Sequence, residues 1–241
     1  MIATVQLPAH LKADCSACVA LCCVIPPFDA VQGFGFDKPA ETPCRHLCAD
    51  HRCGIHDDLV GRGFAGCVAF DCLGAGQRLT ALAVARFGDA DWRGRPEVAR
   101  WLFAAYPGVR EAQEWLARLS LAARVSGLDG LRVLAAELEA EAPRWPDWRA
   151  AERDVWRSRV GAALAPLAEN RGLSNLCIPW IQRNPPFRWH WPMNDSARAG
   201  VGPAPPCASW PCCAACWPPA SSSASSTASA SSAARPGPSA S

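Results

Sequence analysis

The sequence predicts a mainly α-helical protein that begins with a small, irregular, cysteine-rich module and ends in a disordered tail. Three observations lead to this prediction. Nine of the 14 cysteines fall between residues 15 and 72, apolar residues then recur at helical spacing, and the last 22 residues are almost entirely Ser, Ala and Pro. We therefore divide the chain into a cysteine cluster (1–75), a helical segment (76–170) and a tail (171–241).

The cysteine cluster has the composition of a metal site. It opens with a CxxCxxxCC run, and five further cysteines follow before residue 73. Thiolates at such short spacings converge on zinc or iron more readily than they fill an apolar core. So small a region also needs cross-links, by metal or by disulfide, to hold a shape. The predicted metal ligands are Cys15, Cys18, Cys22, Cys23, Cys44, Cys53, Cys67 and Cys72.

Eight thiolates allow two interpretations of the metal. They suffice for two tetrahedral zinc ions, or for an iron–sulfur cluster with spare thiols. Cys48 is ranked below the eight, and the odd count of nine agrees with one cysteine being a spectator. His56 follows Cys53 by three residues, so it either ligates the same ion or packs beside the site, where it would hydrogen-bond a thiolate or carbonyl. We favour the packing role for His56.

The helical segment is punctuated by Gly and Pro, which mark the ends of its helices. Leu131, Leu134 and Leu138 recur on one helical face, and we expect them to form a buried stripe. Its tryptophans and leucines are interpreted as helix-packing core rather than as a cofactor site. The predicted helices cover 75–87, ending at Gly88; 96–106, before Pro107; 111–125, closed by Gly127; 128–142; and a last helix, capped by Asp147, that stops or kinks at Pro166.

Composition and motifs disfavour several function classes. The formal net charge is +2 with no concentrated basic face, so we expect no nucleic-acid partner. No run reaches the roughly 20 apolar residues of a spanning helix, and no signal peptide is recognisable, so we expect a cytoplasmic protein. In that reducing compartment, clustered cysteines are more often metal ligands or redox centres than disulfides. No GxSxG, HExxH or Walker A motif occurs, which argues against an enzyme.

The cysteine motifs resemble a known family. The CxxCxxxCC opening is followed by Pro43-Cys44, by Arg52-Cys53-Gly54-Ile55 and by Cys67. This order is similar to that of the YkgJ-type bacterial domains, a family of zinc- or iron-chelating cysteine clusters. His56 stands where that family usually has Tyr, and the spacing before Cys67 is longer than is usual in the family. The resemblance implies a metal-chelating role for the matching cysteines.

A further set of motifs extends from the cysteines into the helical segment. It comprises Leu21-Cys22-Cys23, Phe36-Asp37-Lys38, Gly63-Phe64-Ala65-Gly66-Cys67, Asp71-Cys72-Leu73-Gly74 and Asp91-Trp92-Arg93. Over roughly residues 10–140 these motifs resemble the N-terminal region of bacterial pentapeptide-repeat-containing proteins. Such proteins continue into tandem A-(D/N)-L-x-x repeats that fold as a right-handed β-helix. The repeats themselves do not occur in this sequence.

The sequence as a whole predicts a non-catalytic zinc- or iron-binding protein, whose helical segment packs on the cysteine cluster or docks another protein. One alternative is an iron–sulfur or thiol redox protein in which Cys15 and Cys18 exchange electrons. Another is a structural or interaction protein with a disulfide- or thiol-rich N-terminal module. The tail carries no predicted function, because its lone CxxC, Cys213 and Cys216, has no second cysteine pair or histidine nearby.

Overall fold

The computed structural model describes residues 7–169, and the predicted disordered tail lies outside them. Over these residues the predicted fold class is confirmed: an irregular cysteine-rich stretch is followed by helices, and no extended strand is formed. The α-helices are α1 (Leu21–Val24), α2 (Ala65–Ala69), α3 (Ala75–Phe87), α4 (Pro96–Ser126), α5 (Asp129–Ala140) and α6 (Ala150–Glu169).

The cysteine-rich stretch has little regular structure. Its two α-helices span four and five residues, and the rest consists of short 3₁₀ turns and loops. Two isolated antiparallel bridges, Phe28–Lys38 and Leu47–Cys53, hold these loops together. The aromatic rings of Phe28, Phe34 and Phe36 pack against one another and form a small local core.

Helix α4 is the element on which the other helices pack. Helices α3, α5 and α6 all contact it, as does the 3₁₀ segment Ala142–Asp147. The prediction of two helices here is wrong, because α4 runs without interruption through Pro107 over 31 residues. Proline lacks the N–H that would bond the carbonyl four residues earlier. The helix nevertheless continues, because fully buried side chains lie on both sides of the proline, such as Leu102 and Val109.

The ends of α3 and α5 follow the sequence signals. Helix α3 ends as predicted at Gly88, whose φ of 83° is the left-handed conformation that glycine adopts without strain. Helix α5 confirms the predicted helix over 128–142, to within two residues at each end. Leu131 and Leu138 are buried on α5, whereas Leu134 is only half-buried, so the predicted stripe is incomplete.

The start of α6 differs from the prediction. Asp147 is not its N-cap but the last residue of the 3₁₀ segment, in which Trp145 is almost completely buried. Helix α6 begins three residues later, where the Glu152 carboxylate accepts a 2.8 Å hydrogen bond from the Arg149 N–H. Burial of the tryptophan therefore sets the register here, and not the capping residue. The helix also does not stop at Pro166, since it extends to Glu169.

The buried residues of the two segments form one continuous cluster. Leu11, Leu21 and Val24 from the cysteine-rich stretch belong to the same apolar core as Leu79 and Leu119 from the helices. The division at residue 75 therefore marks a change in local structure, and its status as a domain boundary stays a prediction. Between residues 7 and 169, no helix has the length and apolarity needed to cross a bilayer.

Candidate metal centre

Four of the eight predicted ligands surround one small cavity. Its volume is about 20 Å³, which is room for a water molecule or an ion rather than an organic substrate. The four cysteines come from three places in the chain: the loop before α1, α1 itself and the loop before α3. The cavity is lined by Cys15, Cys18, Cys22 and Cys72, together with Asp14, Gly76, Gln77 and Tyr106.

Side chains of α3 hold the Cys15–Cys18 loop in place. The amide of Gln77 accepts a 2.6 Å hydrogen bond from the Asp14 N–H and donates a 3.0 Å bond to the Lys12 carbonyl. One turn further along α3, the Thr80 hydroxyl accepts from the Val19 N–H at 3.2 Å. These bonds span more than 60 residues of sequence, so the loop takes its shape from the helix against which it lies.

The first residues of α3 lie next to the sulfurs of Cys18 and Cys72. Backbone N–H groups of Gly76 and Gly74 hydrogen-bond the Cys72 sulfur. A Cβ atom at Gly76 would lie 2.6 Å from the Cys18 Sγ, so any larger residue would require that sulfur to move. Leu73 has a φ of 53°, and this left-handed conformation turns the chain sharply from Cys72 into the helix. Such a conformation is costly for a non-glycine residue and tends to occur at functional sites.

A similar turn lies on the other side of the cavity. Ala20, between Cys18 and Cys22, has a φ of 61° and immediately precedes α1. Hydrogen bonds from the Leu21 and Ala20 N–H groups reach the Cys18 sulfur. Each side of the cavity therefore combines a left-handed non-glycine residue with backbone donors that point at a sulfur.

Of the other predicted ligands, Cys23 lies on α1 and Cys67 on α2, whereas Cys44 and Cys53 lie in the irregular stretch between these helices. Cys22 and Cys23 have sulfurs 4.0 Å apart, and the Cys23 carbonyl accepts a 2.9 Å hydrogen bond from the Cys44 N–H. The Cys67 segment is placed by its neighbour Gly66, whose N–H donates to the Gly33 carbonyl at 2.7 Å. A Cβ at Gly66 would lie 2.8 Å from a backbone oxygen, which explains the glycine at this close approach.

A buried lysine supports this part of the structure. Lys38 is only 4% exposed, and its ammonium donates to the carbonyls of Val24 and Pro26 at 3.0 and 2.6 Å. A third bond joins it to the Pro39 carbonyl at 3.1 Å. Burial lowers the pKa of Lys38 to about 8, although the nearby thiols oppose this effect. The sequence contains only two lysines, but nothing in the pattern indicated that this one would be buried.

The cysteine thiols are held in a setting that disfavours their charged form. Burial raises the pKa of Cys18 and of Cys67 to about 12, and neighbouring thiols add to the effect. The pKa of Cys22 is raised well above its usual value, first by its hydrogen bond with Cys23 and then by burial. Burial also raises the pKa of Cys72. A divalent cation would reverse this balance, because a coordinating thiol loses its proton.

Several side chains near the cluster are not brought into it. Within residues 7–169, no three or more Cys, His, Asp or Glu side chains are positioned so that they could hold a metal ion together. None of the nine cysteines in this range forms a disulfide. The favoured packing role for His56 is not seen, since its side chain is 66% exposed and lies 3.7 Å from the Asp57 carboxylate. The Cys48 sulfur lies 4.0 Å from the His46 carbonyl oxygen, outside the cavity.

Sequence reasoning gives no site role to four residues that line the cavity: Asp14, Gly76, Gln77 and Tyr106. Gln77 lies within the stretch that resembles the pentapeptide-repeat-containing proteins, but the resemblance implies no role for it. The sequence predicts Tyr106 only as the end of a helix before Pro107. Its one distinguishing signal is that it is the single tyrosine of the chain.

Comparison with known proteins gives one relative and no established activity. No family model and no solved structure matches the chain. The chain is 42% identical over 106 residues to the uncharacterized protein YybG of Bacillus subtilis strain 168. The match covers 44% of this chain and 37% of the relative, so the chain spans little more than a third of that protein's length. The resemblance to the chelating and pentapeptide-repeat families therefore stays a prediction.

Proposed function

We propose that this protein is a non-catalytic metal-binding module that holds zinc or iron through its clustered cysteines. One observation carries the proposal: Cys15, Cys18, Cys22 and Cys72, from three separate segments, line a single cavity of about 20 Å³. Four thiolates are a common ligand set for structural zinc and for iron–sulfur clusters. Apolar packing alone gives no reason to gather four thiols around one small cavity.

The surroundings of the Cys18 and Cys72 sulfurs include features that would favour thiolates once a cation offsets the cost of burial. The Cys18 and Cys72 sulfurs each accept backbone N–H groups, and hydrogen bonds to a charged acceptor are stronger than those to a neutral one. The donors to Cys72 lie at the N-terminus of α3, a helix of 13 residues whose dipole favours negative charge there. The protein thus supplies donors suited to anionic sulfur, while burial penalises that charge unless a cation accompanies it.

Binding an ion would require the four thiols to leave their described positions, in which no three of them are placed to hold a metal. Each cysteine carries its sulfur on one rotatable bond, and rotation about that bond is the simplest such change. Cys15, Cys18, Cys22 and Cys72 would hold one ion. When bound, the ion would link three chain segments and add its binding free energy to the stability of the fold.

The four remaining predicted ligands do not line this cavity, so they would have to bind a different ion. Burial and the neighbouring Cys44 thiol are the leading causes of the raised pKa of Cys67, with Cys22 and Cys53 contributing further. The groups adjoin at Cys22 and Cys23, which are consecutive residues of α1. We propose a second ion held by Cys23, Cys44, Cys53 and Cys67.

The thiol redox alternative is less well supported. Exchange requires a thiolate nucleophile, and reactive cysteines have lowered pKa values in electropositive, partly exposed surroundings. Cys15 and Cys18, the pair proposed for electron exchange, instead have pKa values raised by burial. An iron–sulfur centre would use the same four ligands as zinc, so the protein's colour separates these two outcomes.

Elemental analysis of the full chain, purified without oxygen, tests the proposal. We expect stoichiometric zinc in a colourless protein, or iron in a brown one. Cys18→Ser and Cys72→Ser should lower the bound metal, whereas Cys48→Ser, the matched control outside the cavity, should not. Protein that carries neither metal and shows paired disulfides by mass spectrometry would contradict the proposal and favour a disulfide scaffold.

A further inference from the structure

Tyr106 places a buried hydroxyl in the wall of the four-cysteine cavity. The residue is 4% exposed on α4, and its hydroxyl has no hydrogen-bond partner among the described residues. A buried polar group left without a partner destabilises the fold. Phenylalanine would fill the same space without this cost. The hydroxyl therefore indicates an acceptor inside the cavity that the protein gains when the site is complete.

The position of α4 identifies the acceptor. Arg110, one turn after Tyr106, donates a 3.3 Å hydrogen bond to the Asp71 carbonyl. This turn of α4 consequently lies against the Asp71–Cys72 stretch. Tyr106 and Cys72 line the same cavity, so Cys72 is the sulfur of the site that lies nearest this contact in the chain. A phenol is protonated at neutral pH, since its ordinary pKa is about 10, and is therefore available as a donor.

We infer that Tyr106 donates its hydroxyl hydrogen to the Cys72 sulfur when that sulfur is a metal-bound thiolate, and thereby positions Cys72 in the metal centre. The inference rests on the proposed function. A neutral thiol accepts hydrogen bonds weakly and a thiolate accepts them strongly, so the bond forms with metal binding. Tyr106 then satisfies its hydroxyl and fixes a metal ligand, the role that partners of metal ligands usually have. It also links the central helix to the site.

The single tyrosine makes a direct test practical. The full chain is labelled with tyrosine carrying ¹³C at the phenolic carbon, which gives one resonance. Zn²⁺ is the probe, added to metal-free protein, and bound zinc is counted in parallel. We expect the resonance to move as the first equivalents of zinc bind, and to stop moving when that site is full. In Cys72→Ser the zinc-dependent shift should be lost.

Two failures can be told apart in this experiment. If zinc binds stoichiometrically and the tyrosine resonance does not move, Tyr106 donates no bond to the site and this inference is wrong while the proposed function stands. If no zinc binds, the proposed function fails and the inference fails with it. The wild-type labelling experiment gives this answer whether or not any variant folds.

Zinc affinity supplies a second measurement. Tyr106→Phe should keep the zinc stoichiometry but lower the affinity by about 10-fold or more in competition with a chromophoric chelator, as is typical when a ligand's partner is removed. Phe103→Leu is the control, a buried change on the same helix that lies outside the cavity. It should lower stability without changing zinc affinity. Equal losses of affinity in both variants would assign the effect to helix packing and overturn the inference.

Discussion

The cysteine-rich stretch, residues 7–74, and the helices of residues 75–169 are stabilised in different ways. The helices form their own backbone hydrogen bonds and bury leucines such as Leu102 and Leu138 completely. The cysteine-rich stretch has short turns, isolated bridges and a small aromatic core. The conformation of this stretch therefore depends on contacts with residues of the helical region. One hydrophobic core can therefore join helices, which form their own hydrogen bonds, to a stretch whose conformation depends on contacts from elsewhere in the chain.

Side chains of the helical region supply many of these outside contacts. The Trp92 indole N–H donates to the Val19 carbonyl at 2.8 Å. The Arg93 guanidinium donates to the carbonyls of Cys48 and Ala49 at 2.7 and 2.8 Å. Each such bond satisfies a loop carbonyl that has no regular ladder to join. These contacts hold the backbone of the loops in place. A bound ion would hold the cysteine sulfurs as well.

The largest expected effect follows removal of metal. Treating zinc-loaded protein with a chelator should lower hydrogen-exchange protection of amides within residues 15–72 by about 100-fold or more, because metal binding and folding of such a region are coupled. Amides of α4 should change only slightly, since the helix keeps its own core. Residue-resolved exchange by NMR or mass spectrometry measures both. An equal loss of protection in α4 would contradict the expectation that only the cysteine-rich stretch depends on metal for its stability.

Leucine truncations test the helical region by itself. Leu138→Ala should lower the free energy of unfolding by about 2–5 kcal/mol, because Leu138 is completely buried on α5. The half-buried Leu134 should cost clearly less when truncated, contrary to the sequence-based prediction of a uniform stripe. Arg132→Ala is the control, since its exposed ion pair with Asp129 contributes little. Denaturant unfolding of metal-loaded protein gives all three values, and equal losses for both leucines would contradict the described packing.

Two glycine-to-alanine changes test whether zinc binding depends on the space beside the Cys18 sulfur. Gly76→Ala places a Cβ 2.6 Å from the Cys18 sulfur, so zinc affinity should fall by about 10-fold. Gly130→Ala, also within a helix but with no atom within 4 Å of its Cβ, is the matched control. It should leave zinc affinity unchanged and raise stability by about 0.5–1 kcal/mol through helix propensity. Unchanged zinc affinity in Gly76→Ala would mean that Cys18 does not ligate from its described position.

The smallest expected effects are those of pH. The stability of the metal-free protein should fall at high pH, whereas zinc binding should strengthen as the pH rises. The Cys18 thiol has a pKa of about 12 when folded, against 9.0 ordinarily, so it favours the metal-free fold below pH 9. That contribution is lost progressively as the pH rises from about 9 to 12. Zinc binding should instead strengthen with rising pH, because the thiols release protons as they bind. Thermal melts with and without zinc measure both trends, and parallel trends would refute the assignment of thiolate ligands.

The sequence alone determined the features that depend on near neighbours. Glycine at 88 ends α3 where predicted, because a left-handed residue there is a local requirement. The lack of periodicity predicted an irregular cysteine-rich stretch, which the structure confirms, whereas the metal site expected from the cysteine spacing stays a prediction. Local signals failed where burial outweighed them. Pro107 does not break α4, and the packing of Trp145 moves the start of α6 away from Asp147.

Only the tertiary structure decided which sulfurs face one another and what surrounds them. Cys72 lines the same cavity as Cys15, Cys18 and Cys22 because α3 lies against the loop that precedes α1. No sequence pattern within either segment indicates that contact. Tyr106 reaches the same cavity from α4 for a similar reason. Helix and turn signals depend on residues a few positions apart, whereas a cavity is built by side chains brought together from distant segments. The metal-ligand role of the cysteines therefore stays a prediction from the sequence, whereas the packing of α3 and α4 determines which of them line one cavity.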